Sequence, residues 1–104
     1  MTKKEYKEYC KSFEGETCWH CGQFPIREMH HIIGGSSKNK LRLEKFNLVP
    51  LCSHCHTIHH QCENMTAKFA HDMLVEFGAE WIEWATINRA RSQRLNEWLI
   101  ERGY

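Results

Sequence analysis

The chain has no long hydrophobic run. Nowhere in its 104 residues does an apolar stretch approach the roughly 18 needed to cross a bilayer. The opening segment, MTKKEYKEYCK, lacks the apolar stretch of a secretory signal. Together these absences lead us to expect a cytoplasmic protein. An excess of one charge is missing too: 14 Lys and Arg face 13 Asp and Glu, for a formal net charge of +1. A globally basic nucleic-acid-binding surface is therefore not indicated. There is no internal repeat, no low-complexity tract and no linker long enough to separate domains, so we expect a single domain over 1–104 with a modest core.

What the chain does have is metal-ligating chemistry, with 6 cysteines and 8 histidines. In a reducing compartment cysteines bind metal more readily than they form disulfides. An even count would also suit a small secreted disulfide scaffold, but no export signal accompanies it. The richest stretch is Asn47 to His60, NLVPLCSHCHTIHH, with two cysteines, four histidines and an asparagine. Upstream, CWHC (Cys18, Cys21) and MHHI (His30, His31) are its counterparts.

Cys18-x2-Cys21 and Cys52-x2-Cys55 are separated by thirty residues. Two such turns can converge on one tetrahedral zinc, each thiolate about 2.3 Å from the metal. A structural zinc of this kind would pin the turn before the first strand to the turn before a helix, in a domain too small to rely on its core alone. His20 and His54, inside the two loops, read as exposed loop residues. Cys10 and Cys62, outside the pattern, read as small buried apolar residues.

Local patterns supply the elements. Thr2 with Glu5 fits a capping box, and Tyr6, Tyr9, Cys10 and Phe13 recur at helical spacing, which predicts a helix over 2–13. Strands are expected over 26–33 and 46–51, the second restricted by Pro50 to an edge or an irregular end. CSHCHTIHHQ reads as a metal-binding turn running straight into a helix. Thereafter the chain is helical: Asn64 or Thr66 can cap a helix carrying Phe69, Met73, Leu74 and Phe77, and Gly78 stops it. A second helix is suggested by Trp81, Ile82, Trp84, Ala85 and Ile87. Leu95, Trp98 and Leu99 start a third after a Ser92 cap or extend the second. The metal-binding core is thus expected over 18–62 and a helical extension over 65–103. Tryptophans at helical spacing are usually core; the alternative is a partner surface for a homodimer or a phage packaging or recombination protein.

If the helix begins near Cys55, His56 and His60 lie at i and i+4 on one face, as two ligands of one metal should. His59, at i+3, is nearly on that face and remains a rival. His30 or His31 is the obvious source of a third ligand. On an ideal strand those two point to opposite sides, so a twist or bulge would be needed to bring both towards one cleft.

Cys-x2-Cys, then His-His-Ile, then Asn-Leu-x-Pro-Leu-Cys-x2-Cys-His resembles the HNH endonuclease family of bacteria and their phages, over roughly residues 18 to 60. The resemblance implies an α+β fold: a small ββα-metal core around one catalytic divalent ion, here with an added four-cysteine zinc site, flanked by helices. Carried over position by position, His31 matches the general base and His30 the first metal ligand. Asn47 matches the central asparagine, which orients the catalytic loop in some members and touches the metal in others. His56 matches the last histidine of the motif, a metal ligand, and His60 a further ligand of the His-rich branch. The implied chemistry is hydrolysis of DNA phosphodiester bonds, leaving 5′-phosphate and 3′-hydroxyl ends, with zinc, nickel, manganese or magnesium as the catalytic ion.

Charge is unevenly spread. From Arg27 to Lys45 five basic residues face two acidic ones. Charge alone describes a solvated loop; with the resemblance, Lys38, Lys40 and Arg42 become candidate DNA contacts. The main competing reading is a non-catalytic zinc module that binds DNA or a protein, which leaves His30, His31, Asn47, His56 and His60 without a reason. A zinc hydrolase acting on something other than nucleic acid is a third, and nothing suggests a small-molecule pocket for it.

Overall fold

Thr2 and Glu5 open the first helix. The Thr2 hydroxyl accepts from the Glu5 N–H at 3.1 Å, and the Glu5 carboxylate accepts from the Thr2 N–H at 3.0 Å. That reciprocal pair satisfies donors a helix start otherwise orphans. Helix α1 spans Lys3–Lys11, shorter than the expected 2–13. Edge-on ring contacts from Tyr9 to Phe13 and from Phe13 to Trp19 lay its end against the first cysteine turn. The computed structural model describes residues 1–34, 40–61 and 65–104, without the side chains of Lys40 and of 59–61.

Strands β1 (Glu28–His31) and β2 (Leu48–Leu51) pair antiparallel, with Glu28 opposite Leu51 and His31 opposite Leu48. Both are shorter than expected, for visible reasons. Ile26 spends its N–H on the Glu16 carbonyl at 3.1 Å, inside the hairpin of the first cysteine turn. Lys45–Asn47 coils into a 3-10 turn before β2 begins. Pro50 sits within β2 opposite Met29. In a two-stranded sheet each strand is an edge, where a missing N–H is tolerated. The Pro50 carbonyl is used, accepting from the Trp19 N–H at 3.1 Å.

Helix α2 (Ser53–Gln61) follows β2 after a single residue and packs on both strands. The flanking helices complete an α+β fold: α3 (Met65–Phe77), α4 (Ala79–Asn88) and α5 (Gln93–Glu101). Phe69 and Met73 of the expected α3 stripe are fully buried, with Leu74 and Phe77 half-buried beside them. Thr66 lies inside α3 and is buried, so it is not the cap; Asn64 lies outside the described residues. Gly78, at φ +66°, takes the left-handed turn that lets α3 reverse directly into α4. Ser92 Oγ accepts from the Leu95 N–H at 3.2 Å and starts α5 as a separate helix.

The tryptophans are core. Trp81 is fully buried, Trp98 nearly so, and their rings meet edge-on at 5.7 Å. Trp84 is half-buried against Phe46. Trp81 Nε1 donates to the Phe46 carbonyl at 2.8 Å and Trp84 Nε1 to the Glu44 carboxylate, stapling α4 to the segment just before Asn47. One cluster joins Cys18, Cys52 and Cys55 to Val49, Leu51, Phe69, Trp81 and Leu95. Among the described residues no helix is long and apolar enough to cross a membrane.

Replacing Trp81 by Phe keeps most of the apolar volume but strands the Phe46 carbonyl. We expect a loss of about 1–3 kcal/mol in urea unfolding at saturating zinc. Unchanged stability would show that this hydrogen bond does not hold α4 in place.

Candidate metal and catalytic centre

The first cysteine turn is a tight hairpin. The Cys18 N–H donates to the Phe24 carbonyl at 2.8 Å, and the Gly22 N–H to the Cys18 carbonyl at 2.9 Å. Gly22 supplies the left-handed angle, φ +67°, that the reversal needs. The backbone N–H of Gln23, helped by that of Phe24, brings the Cys21 thiol down to about 6 against the opposing effect of burial. In the second turn, Cys52 stands immediately before α2. The Cys55 N–H donates to Cys52 Sγ at 3.4 Å, so sulfur takes the place of the usual capping oxygen. A thiolate is also favoured at a helix start by the helix dipole. Burial pushes the Cys55 thiol up.

The four sulfurs of Cys18, Cys21, Cys52 and Cys55 lie within 4.8 Å of one another, and Cys21 and Cys52 are 3.8 Å apart. Four sulfurs about 2.3 Å from a tetrahedral ion would be separated by about 3.8 Å. A disulfide would need about 2.05 Å. Four thiols this close oppose one another's ionisation, because each thiolate repels the next. A divalent cation resolves that conflict by deprotonating its ligands. The cluster can therefore hold a metal ion such as zinc.

His20 corrects the expectation of an exposed loop residue. It is half-buried, with Nδ1 2.7 Å from Asp72 Oδ2 and its ring edge-on to Phe69. The contact ties the first cysteine turn to α3. Burial raises the Asp72 carboxyl above the usual range, with His20 pulling the other way. His54 is exposed, as expected. Cys10 is half-buried on α1, less covered than expected, and Cys62 lies outside the described residues.

The histidines of β1 divide between two environments. His30 is buried, its ring centre 5.7 Å from that of His56 on α2 and 5.2 Å from Phe69. His31 is half-buried, with Nε2 3.0 Å from the Arg42 carbonyl oxygen. A carbonyl only accepts, so Nε2 carries the proton and Nδ1 is the basic nitrogen. Asn47 is fully buried. Its Oδ1 accepts from the Ile33 N–H at 2.7 Å, and its Nδ2 donates to the carbonyls of Ile33 and Leu41, each at 3.1 Å. The side chain thus clamps the end of β1 to the Lys40–Leu43 turn that carries Arg42.

Glu28 is the residue that reading the sequence missed. Its carboxylate pairs with His56 Nδ1. A signal was present: two residues before His30 on one strand, Glu28 shares its face. The side chains of His59 and His60 lie outside the described residues, so the choice between them lies there too. The same holds for Lys38 and the Lys40 side chain, whereas Arg42 is described and exposed. Among the described residues, the four cysteines are the one group of three or more His, Cys, Asp and Glu side chains gathered closely enough for a metal.

Replacing Cys55 by Ser should remove about one zinc ion per chain, measured by elemental analysis. Helical circular dichroism and cooperative unfolding should be lost with it, because metal affinity here is folding free energy. Zinc retained at full occupancy would contradict a four-sulfur site.

A family model described as HNH endonuclease matches residues 8–61. Comparison with curated proteins and with solved structures gave no match. The matched segment takes in the first cysteine turn, both strands, Asn47, the second cysteine turn and α2, just over half of the 104 residues. The chain that gathers these four cysteines and pairs His30 with His56 belongs to the HNH endonuclease family.

Proposed function

We propose that this protein is a metal-dependent endonuclease that hydrolyses DNA phosphodiester bonds, leaving 5′-phosphate and 3′-hydroxyl ends. The observation that carries the reading is the split of the histidine pair. His30 faces His56, while His31 is held apart by the Arg42 carbonyl in the tautomer a base requires. Two imidazoles bound at 2.0–2.1 Å to one ion place their ring centres about 5–6 Å apart. The 5.7 Å between His30 and His56 fits that spacing.

In this reading His30, His56 and His60 would hold the catalytic ion, which would supply neutralisation of charge on a phosphate oxygen and on the leaving 3′ oxygen. An all-imidazole set favours zinc, nickel or manganese over magnesium. His31 takes a proton from water through Nδ1 as the water attacks phosphorus. Asn47 touches none of the reacting atoms; it ties the backbone just after His31, at Ile33, to that just before Arg42, at Leu41. Glu28 is a positioning residue: a carboxylate on Nδ1 sets the tautomer in which Nε2 is the ligating nitrogen and makes that nitrogen a stronger donor. The exposed Arg42 side chain is the described member of the basic set that would meet the phosphate backbone.

Nicking of supercoiled plasmid with zinc, nickel, manganese or magnesium tests the proposal. His31→Ala should lower the rate by about 10²- to 10⁴-fold. Equal rates for both proteins would remove His31 as the base, and no cleavage by either would favour a zinc module without catalysis. Glu28→Gln should weaken the apparent affinity for the catalytic ion about 10- to 100-fold, with activity returning at high metal. An unaltered metal dependence would remove Glu28 from its positioning role.

A further inference from the structure

Phe24 is a large apolar side chain left 50% exposed at the tip of the first cysteine turn. It faces the exposed His54 of the second turn, with ring centres 6.4 Å apart and planes tilted by 59°. Between them opens a cleft of about 350 Å³, lined by Phe24, Pro25, Arg27, Cys52, Ser53 and His54. The two rings meet at a tilt as a wedge whose Phe24 side stays half exposed, so a planar group can lie on that ring. The metal site below makes the wedge rigid, because Phe24 follows Cys21 closely and His54 lies between Cys52 and Cys55.

The cleft is built from chain positions next to those of the candidate catalytic centre. Arg27 immediately precedes Glu28 on β1, and His54 lies two residues before His56 on α2. Arg27 is exposed and lines the cleft, so a cation belongs to its wall. An aromatic platform beside a cation is how proteins hold unpaired bases, the ring taking the base and the cation its phosphate. The geometry points to a base-stacking cleft: the Phe24–His54 wedge takes one unpaired nucleotide of a DNA substrate, so that cutting is directed to bulged, branched or single-stranded sites. This rests on the nuclease reading for its substrate, and it names the class of DNA that reading leaves open. A peptide side chain would use the apolar wall but gives no reason for the arginine that lines the cleft.

The test is binding, read separately from cleavage. Fluorescence anisotropy of zinc-loaded protein, with no second divalent ion added, would compare a paired duplex with the same duplex carrying one unpaired adenine. Wild type should prefer the unpaired adenine about 5- to 150-fold, the fold-change expected of one stacked base. Phe24→Ala should abolish that preference while leaving affinity for the paired duplex unchanged, and Phe24→Trp should restore it. Zinc content and circular dichroism check the fold; should Phe24→Ala lose zinc, His54→Ala in the opposite turn must reduce the preference instead. Equal affinity of wild type for the two DNAs, no binding to either, or a preference that survives both substitutions overturns the proposal. Failure of wild type to cleave either DNA with any divalent ion would overturn the nuclease reading, and the binding ratio would still decide the cleft.

Discussion

Four sulfur atoms within 4.8 Å of one another are the constraint on which the rest of the structure depends. They come from two turns thirty residues apart, and closing that loop costs chain entropy that a domain of 104 residues recovers poorly from its core. The turns are built to receive an ion: one aims backbone N–H groups at Cys21, the other sets Cys52 at a helix start. Cys18, Cys52 and Cys55 are also members of the hydrophobic cluster that reaches Trp81 and Leu95. Metal site and core are therefore one unit, and the C-terminal helices close over it. The His20–Asp72 contact extends the same frame from the cysteine turn to α3.

On that frame two sets of side chains are kept apart. The four cysteine sulfurs gather in one cluster, while the imidazoles of His30 and His56 face each other outside it. Helix α2 carries members of both sets, since adjacent residues on a helix differ by about 100° in direction, so Cys55 and His56 point different ways. Strand alternation does the corresponding work on β1, sending His30 to α2 and His31 to the Arg42 carbonyl. Asn47 makes the second arrangement durable: three hydrogen bonds from a fully buried amide leave little freedom to the backbone at Ile33 and Leu41.

Features with local causes were legible in the sequence. The Thr2–Glu5 capping box, the Gly78 stop, the Ser92 cap and the two Cys-x2-Cys turns all appear where short spacings placed them. The burial of Trp81 and Trp98 followed from helical period. What escaped depends on partners distant in the chain. His20 read as an exposed loop residue because Asp72, its partner, lies 52 residues away. Glu28 was only counted, as one of the two acidic residues between Arg27 and Lys45, because its contact with His56 appears only when β1 and α2 are packed together. The strands were drawn too long because a period-two pattern does not reveal that Ile26 and Asn47 give their N–H groups to turns.

The central claim is that one chain carries two metal sites of different chemistry and that only the imidazole site cuts DNA. Cobalt titration of the metal-free protein, following thiolate charge-transfer absorption and plasmid cleavage together, tests it most directly. The account predicts that the thiolate bands saturate at about one equivalent without cleavage. Cleavage should then rise with a second equivalent that adds no thiolate absorption. Cleavage that saturates together with the thiolate bands would contradict the account, because a single sulfur-bound ion would then be doing both jobs.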